Sequence, residues 1–395
     1  MARINPSIFT VPPNPMFRLG ALVHGRSDVI HLEFGEPDFD TPAHIVEAAM
    51  RSLRDERQGY GPGNGMRWLR EAIARRMTRV DGFSPDPDNV IVSMGGTGGL
   101  VASLLCLASP GDDVLLPDPA WAGYDAMLAE ANVRAVRYPL VAARGWQPDL
   151  GALEAAITPR TTVLLVNTPS NPGGAVFTRA TIERMVEICR RRDLWLLSDE
   201  CYDEIVFDGQ HVSPAAVDGE GRVVVIGTCS KSYAMTGWRV GWVVAPARLA
   251  PAIGLAVTGQ VNNLPLFTQR AAEAALTGPQ ECVGEMATAY RARRDAAVDM
   301  LRERGLLEYT PAGAFYLLAR ISGEEQPFDG VAFAKALIRA RGIAIAPGVA
   351  FGPATARYAR VSLASHIDAI RAGLTGLLDF AATYDASCEA DMRSS

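Results

Sequence analysis

Short apolar runs alternate with amphipathic segments through the middle of the chain. The runs have the length and the β-branched content of buried strands, and they lie at 89–93, 113–116, 161–167, 194–198, 222–227 and 240–245. Between the earlier runs, apolar residues recur at helical spacing over 98–108, 122–131, 150–157 and 179–191. This alternation predicts an α/β fold in which helices cover both faces of a mostly parallel sheet.

The pattern changes toward the C-terminal end of the chain. Residues 248–306 have a mainly helical pattern. Beyond them the sequence predicts a second mixed region with strands at 314–320 and 358–364 and helices near 329–341 and 366–382. We therefore predict an N-terminal segment 1–45 that joins a small domain, a large domain 46–285, a small α+β domain 286–384 and a disordered polar tail 385–395.

Length, charge and cysteine content narrow the class of protein. A chain of 395 residues with 48% hydrophobic residues is typical of a soluble protein of roughly two domains. A net charge of −6 without a basic stripe argues against nucleic acid and membranes as partners. The N-terminus lacks the apolar core of a signal peptide. The six cysteines and five histidines show no metal-ligand spacing, so we expect a cytoplasmic protein without a metal site.

One lysine stands out against the arginine bias of the chain. Lys231 is one of only two lysines, and it lies between two predicted strands in "GTCSKSYAMTGWRVGW", residues 227–242. Unlike arginine, lysine loses its proton when it is desolvated, and the neutral amine forms Schiff bases with carbonyl groups. The other lysine, Lys335, falls on the polar face of a predicted helix. Lys231 is therefore the candidate nucleophile.

A glycine-rich turn predicts a phosphate site. The first predicted strand ends in "SMGGTGGL", residues 93–100, and a helical pattern follows at once. Glycines let the backbone approach a ligand, and a helix N-terminus presents free N–H groups to an anion. The motif matches neither the dinucleotide-binding nor the P-loop pattern. Ser230 and Arg239 are candidate partners of the phosphate, because arginine suits bidentate contacts with phosphate.

A phosphate site near a reactive lysine is typical of pyridoxal 5′-phosphate (PLP) enzymes. The cofactor needs a carboxylate at its pyridinium nitrogen, and "LWLLSDECY" supplies Asp199 at the end of a predicted strand. Such an aspartate is otherwise a common helix cap. Tyr202 and Asn171 are candidate donors to the phenolic oxygen. Trp121 follows another strand end and is a candidate for stacking on the ring, with a core or interface role as the alternative.

Together these motifs resemble the fold-type I PLP enzymes of the aminotransferase class I/II, the aspartate-aminotransferase-like group. The resemblance runs from "LEFGEPDFDTP" to "YARVSLA", and the family pattern SKxxxxxGxRxG is matched in full at 230–241. It implies a large domain with a mostly parallel sheet of the seven-stranded type and a smaller α+β domain. It also implies a homodimer with shared active sites, in which Tyr60 reaches the phosphate of the neighbouring subunit.

The resemblance implies a role for each site residue. Lys231 would hold the cofactor as a Schiff base, Asp199 would pair with the pyridinium nitrogen, and Tyr202 and Asn171 would bond the phenolic oxygen. The phosphate would be held by Gly96, Thr97, Ser230 and Arg239, and Trp121 would cover the ring. Arg360 would grip the substrate α-carboxylate, assisted by the Gly35 backbone and by Asn171.

The implied reaction is reversible transfer of an α-amino group from an amino acid to a 2-oxo acid, with Lys231 as the general base. The residues expected to line the side-chain pocket are mostly apolar: Ile8, Phe9, Val11, Met16, Trp121 and Tyr124, with Asn262 and Asn263 of the other subunit. Neutral, fairly large amino acids are therefore the predicted donors. A PLP-dependent β- or γ-lyase or decarboxylating deaminase remains an alternative, and a non-catalytic PLP-binding protein a remote one.

Overall fold

A computed structural model describes residues 15–323 and 327–384 of the chain. Three residues expected near the substrate, Ile8, Phe9 and Val11, lie outside the described residues, as does the predicted tail 385–395. In the described part, no helix has both the length and the apolar character needed to cross a membrane.

Eight of the thirteen strands in the described residues overlap strands expected from the sequence. In chain order they are β1 (Ile30–His31), β2 (Val90–Met94), β3 (Asp113–Asp118), β4 (Arg134–Val141), β5 (Gln147–Pro148), β6 (Thr161–Asn167), β7 (Trp195–Asp199), β8 (Val223–Thr228), β9 (Val240–Val244), β10 (Tyr316–Arg320), β11 (Ile343–Ala344), β12 (Ala346–Pro347) and β13 (Tyr358–Ser362). Each of the six runs expected to form the large sheet overlaps an observed strand.

The helices fall between these strands and after them. They are α1 (Pro15–Val23), α2 (Ala43–Asp55), α3 (Arg67–Val80), α4 (Gly95–Leu107), α5 (Gly123–Glu130), α6 (Leu150–Ala155), α7 (Arg179–Arg192), α8 (Ala250–Val261), α9 (Leu266–Thr277), α10 (Glu281–Glu303), α11 (Gly330–Arg341) and α12 (Ile367–Thr383).

The main sheet has eight strands in the order β2-β9-β8-β7-β6-β3-β4-β5. Strands β4, β3, β6, β7 and β8 run parallel to one another, and β2, β5 and β9 pair antiparallel to their neighbours. Two separate clusters of buried apolar side chains pack against the sheet. The predicted α/β architecture is confirmed, and the eighth strand is the two-residue β5 at the edge.

A smaller group of elements packs against one end of this sheet. Its three-stranded antiparallel sheet has the order β10-β13-β12, and β1 pairs in parallel with β11. The N-terminal segment is tied to it, because the Leu32 N–H donates to the Ala344 carbonyl and the Ser362 N–H donates to the Leu32 carbonyl. The boundaries proposed between the two domains stay a prediction.

Candidate active site

A cavity of about 410 Å³ opens at the carboxyl ends of the central parallel strands. Asn167, Asp199 and Thr228, the last residues of β6, β7 and β8, all line it. Ligands of open α/β sheets bind at this edge, because the strand ends present loops and helix N-termini there. Of the residues predicted from the sequence, the cavity brings together Gly35, Gly96, Thr97, Trp121, Asn171, Asp199, Tyr202, Ser230, Lys231, Arg239 and Arg360.

Lys231 follows β8 by three residues, and its side chain crosses to the N-terminal segment. Its Nζ donates a hydrogen bond to the Gly35 carbonyl over 2.6 Å. Desolvation lowers the pKa of Lys231 to about 8, and the nearby guanidinium groups of Arg360 and Arg239 act in the same direction. An amine with this pKa is available in its neutral, nucleophilic form at mildly alkaline pH.

Asp199 is held at the end of β7 by two hydrogen bonds. The Tyr124 hydroxyl donates to Oδ2 over 2.5 Å, and the Cys201 N–H donates to Oδ1 over 3.2 Å. Burial raises the pKa of Asp199, and the hydrogen bonds from Cys201 and Tyr124 oppose that rise. Among the described residues no cation pairs with this carboxyl group, so a cationic ring nitrogen is a fitting partner.

The start of α4 forms a glycine-lined cradle beside Arg239. Gly95 has φ +67°, and a Cβ there would lie 2.8 Å from Nη2 of Arg239. A Cβ on Gly241 would lie 2.7 Å from backbone atoms of Gly95 and Gly227, so β9 can approach α4 only with glycine at this position. The Ser230 hydroxyl lies 2.8 Å from that of Thr228 at the same end of the cavity. Glycines, N–H groups, a hydroxyl and a guanidinium therefore meet there.

A pair of tyrosines also lines the cavity. The hydroxyl oxygens of Tyr202 and Tyr316 are 2.8 Å apart, and burial raises the pKa of both phenols. Gly35 passes so close that a Cβ on it would lie 2.2 Å from the Tyr316 hydroxyl. Glycine at this position therefore lets the Lys231 contact and the tyrosine pair coexist.

Arg360 projects from β13 into the cavity and is 4% exposed. Its Nη1 donates to Asn171 Oδ1 over 3.1 Å, and its Nη2 donates to the Glu33 carbonyl. The guanidinium lies over the rings of Tyr316 and Phe351 at 4.5 and 4.8 Å. Among the described residues no carboxylate forms an ion pair with it, so its charge is available to an anionic ligand.

Several cavity residues were absent from the sequence prediction, or had another role in it. Tyr124 was expected only as a lining residue, whereas the structure bonds it to Asp199. Tyr316 follows a predicted strand start, but nothing in "AFYLLAR" shows that its hydroxyl meets Tyr202. Glu33, Phe34, Glu36 and Cys201 also line the cavity.

Three predicted residues lie away from the cavity of the single chain. Tyr60 is 90% exposed. Asn262 follows α8, and Asn263 borders a second cavity that also contacts Arg239. All three were assigned to the site of a partner subunit.

Comparisons with known proteins point to one enzyme family. Residues 27–371 match the family model described as aminotransferase class I and II. The arginine–pyruvate transaminase AruH of Pseudomonas aeruginosa is 38% identical over 90% of this chain and 90% of its own length. The aspartate/prephenate aminotransferase of Thermus thermophilus is 36% identical over 88% of this chain and 89% of its own.

Solved structures show the same fold. Aspartate aminotransferase from Thermus thermophilus with maleate superposes with a TM-score of 0.89 at 33% identity, covering 96% of this chain and 100% of that chain. Alanine aminotransferase from Pyrococcus furiosus has a TM-score of 0.89 at 28% identity, covering 97% of this chain and 100% of that chain.

Proposed function

Because this chain belongs to the class I and II aminotransferases, we propose that its transamination proceeds in the cavity at the strand ends, with PLP as cofactor and Lys231 as attachment point and proton carrier. The observation that carries this proposal is the amine of Lys231, whose pKa desolvation lowers to about 8 within a cavity that also holds Asp199 and Arg360. A lysine in this state can both bond a carbonyl carbon and exchange a proton.

The residues of the cavity fit the cofactor group by group. The cradle of Gly96, Thr97, Ser230 and Arg239 suits the phosphate, Asp199 suits the pyridinium nitrogen, and Tyr202 and Asn171 suit the phenolic oxygen. Trp121 provides an aromatic face in the same cavity. When bound, PLP supplies an electron sink that stabilises negative charge at the substrate Cα.

Lys231 and Arg360 act on different groups of the substrate. The guanidinium of Arg360, already aimed by Asn171 and the Glu33 carbonyl, binds the α-carboxylate and fixes the orientation of Cα. The Lys231 amine would take the proton from the substrate Cα as a base and release it again as an acid. The Gly35 carbonyl accepts a hydrogen bond from Nζ and keeps the amine in reach.

The preferred amino donor is neutral and fairly large. Met16, Phe34 and Phe351 line the cavity, and two carboxyl groups, Glu33 and Glu36, line it as well. Burying the side-chain carboxylate of aspartate or glutamate against these groups costs several kcal/mol unless a cation pairs with it. The relatives are named for different donors, including arginine and aspartate, so the preference rests on the lining of this cavity.

The site is completed by a second copy of the chain. Tyr60 and Leu255 are 90% and 76% exposed, unusually much for large side chains, which supports an interface over them. In the proposed homodimer Tyr60 contacts the phosphate bound by the partner.

The five described cysteines are free, which supports the proposed cytoplasmic location.

Two measurements test the proposal. Borohydride reduction of the purified enzyme is expected to leave pyridoxyl mass on the peptide containing Lys231; mass on Lys335 alone, or none, contradicts the proposed attachment. Incubation with a panel of amino acids plus pyruvate or 2-oxoglutarate is expected to move amine to the acceptor one for one. A faster reaction with aspartate than with leucine, methionine or phenylalanine would overturn the donor class but leave the attachment intact.

A further inference from the structure

A second group of buried polar residues lies directly behind Asp199. Glu200 follows Asp199 in the chain and does not line the cavity. It faces Asp81, the residue after α3, and His211, in the segment after β7. The exposed fractions of the Asp81, Glu200 and His211 side chains are 0%, 0% and 4%. No local spacing in the sequence predicts this cluster, because its members come from three separate parts of the chain.

The ligand atoms of the three side chains lie close to one another. His211 Nε2 lies 3.1 Å from Glu200 Oε2 and 4.0 Å from Asp81 Oδ1. One ligand atom from each of the three residues lies within 4.8 Å of the others. Ligand atoms about 2.1 Å from a tetrahedral zinc ion are spaced ~3.4 Å apart. The observed spacings bracket that value.

Neighbouring groups hold the two carboxylates so that one oxygen of each points to the centre. Arg76 Nη1 donates to Asp81 Oδ2 over 2.8 Å, and the Ser213 hydroxyl donates to Glu200 Oε1 over 2.9 Å. Asp81 Oδ1 is buried and has no hydrogen-bond partner among the described residues. Outer hydrogen bonds of this kind orient the ligands of metal sites. The unpartnered oxygen of Asp81 is therefore free to bind a cation.

The charges around the cluster are unbalanced. Arg76 also contacts Asp203 over 2.7 Å and Glu204 over 2.9 Å, so one guanidinium serves three carboxyl groups, and Glu200 adds a fourth. A buried carboxylate requires a proton or a cation.

We propose that Asp81, Glu200 and His211 bind a divalent metal ion, with Zn²⁺ as the best match. One imidazole nitrogen and two carboxylate oxygens suit Zn²⁺ better than Mg²⁺ or Ca²⁺, which prefer oxygen ligands alone. The ion neutralises the excess of carboxylates and ties α3 to the strand end that carries Asp199. This binding does not depend on the transamination chemistry.

The measured metal content distinguishes this metal site from a metal-free cluster in which protonated His211 is the cation. The holoenzyme is treated with a chelator, equilibrated with micromolar Zn²⁺, Mn²⁺ or Ca²⁺, and dialysed, and metal per chain is measured by mass spectrometry. We expect about one Zn²⁺ per chain, a lower occupancy with Mn²⁺ and Ca²⁺, and a higher thermal midpoint with Zn²⁺ than without it. Structural zinc sites bind tightly enough to keep their ion during dialysis. Less than roughly a tenth of an equivalent of Zn²⁺ on the wild-type protein would therefore overturn the proposal.

Two ligand variants and one matched control locate the bound metal. Loss of a residue that only hydrogen-bonds to a metal ligand already weakens metal binding by roughly 10–100-fold. Asp81→Asn and His211→Gln change the ligands themselves, so each is expected to weaken Zn²⁺ binding by at least about tenfold. His366 is an exposed histidine beside Asp368, so His366→Gln removes a surface imidazole and is expected to leave Zn²⁺ binding unchanged. Undiminished binding in Asp81→Asn, or equal loss in His366→Gln, contradicts the site. If His211→Gln does not fold, Asp81→Asn and the wild-type stoichiometry still decide.

Discussion

At the scale of single residues, the chemistry depends on how the cavity changes ordinary side chains. Lys231 loses hydration and lies near two guanidinium groups, which together lower its pKa to about 8. Asp199 is buried, yet two hydrogen bonds favour its ionised form. Burial thus favours the neutral form of both groups, and the two hydrogen bonds of Asp199 oppose that effect on its carboxyl group.

The role of Lys231 is tested with a variant that keeps its charge. Lys231→Arg is expected to lower kcat by about 1000-fold or more, because arginine cannot release its proton and cannot bond a carbonyl carbon. The measurement is the steady-state rate with the best amino donor. Lys335→Arg is the control, since Lys335 is exposed on α11 and its replacement is expected to leave kcat unchanged. Substantial turnover by Lys231→Arg would contradict the proposed proton carrier.

Tyr124 is expected to act as a positioning residue for Asp199. Tyr124→Phe removes a hydrogen bond that lowers the pKa of Asp199, so that pKa rises. Because the ionised carboxylate is the useful form, the acid limb of the kcat–pH profile should move to higher pH, with kcat lower by about tenfold at low pH. Tyr138→Phe is the matched control, because its hydroxyl bonds the Leu165 carbonyl elsewhere in the core. An unmoved acid limb in Tyr124→Phe would refute this role.

Arg360 is expected to separate substrate binding from cofactor binding. Arg360→Ala removes the charge-assisted contact with the α-carboxylate and is predicted to lower kcat/KM by about 2–4 kcal/mol in free-energy terms. The visible absorption of the bound cofactor should stay close to that of the wild type. Both quantities are measured on the same preparation. A silent Arg360→Ala would mean that another residue binds the carboxylate.

At the scale of secondary-structure elements, burial explains which strands the sequence revealed. Every residue of β8 is buried, and six of the seven residues of β6 are, so both read as continuous apolar runs. By contrast, β4 has two exposed positions, Arg134 and Pro139, and four half-buried ones, and its sequence "RAVRYPLV" did not predict a strand. It lies toward the edge of the sheet, where one side of the strand is less covered.

The edge of the sheet is tied together by Asp113 at the start of β3. Its carboxylate accepts two hydrogen bonds from Arg134 of β4, both 2.7 Å, and one from Thr158 over 2.6 Å. The hydrogen bond from Arg134 is the main reason that the pKa of Asp113 falls from 3.8 to about 2. The ionised carboxylate of Asp113 therefore stabilises the folded state fully above its unfolded-state pKa, and this stabilisation is lost as the pH falls toward 2.

Removing this carboxylate charge is expected to loosen the sheet edge in a pH-dependent way. Asp113→Asn should lower the free energy of unfolding by about 2 kcal/mol at pH 7, and the difference from wild type should shrink as the pH approaches 2. Urea unfolding followed by circular dichroism at several pH values measures both. Asp193→Asn, at an exposed position that pairs with Arg222, serves as control and should cost much less. A difference that persists undiminished at pH 2 would contradict the assigned cause.

At the scale of the whole molecule, the proposed dimer predicts complementation between inactive subunits. If Tyr60 serves the partner's site, a hybrid of Lys231→Ala and Tyr60→Ala subunits contains one site with both defects and one intact site. Refolding an equal mixture should then restore about a quarter of wild-type activity, since half of the dimers are hybrids with one working site each. Each variant alone is the control. Activity that stays at the sum of the two parents would show that Tyr60 serves its own chain.

The sequence by itself determined the architecture and most of the residues that meet in the cavity at the strand ends. Strands buried on both faces must be continuously apolar, so the parallel sheet is visible in a local pattern. The cradle glycines, Asp199 and Lys231 each follow a strand at the same edge, so their proximity follows from the topology alone. These features depend on neighbours in the chain, which a single sequence displays.

Only the tertiary structure decided how residues from distant segments meet. The hydrogen bond of Tyr124 with Asp199, the pairing of Tyr202 with Tyr316 and the convergence of Asp81, Glu200 and His211 join positions tens to hundreds of residues apart. Such contacts depend on side-chain rotamers and on how loops pack over the strand ends, to within a few tenths of an ångström. No local periodicity encodes a distance of that kind, because the physical constraint that sets it is the packing of the complete interior.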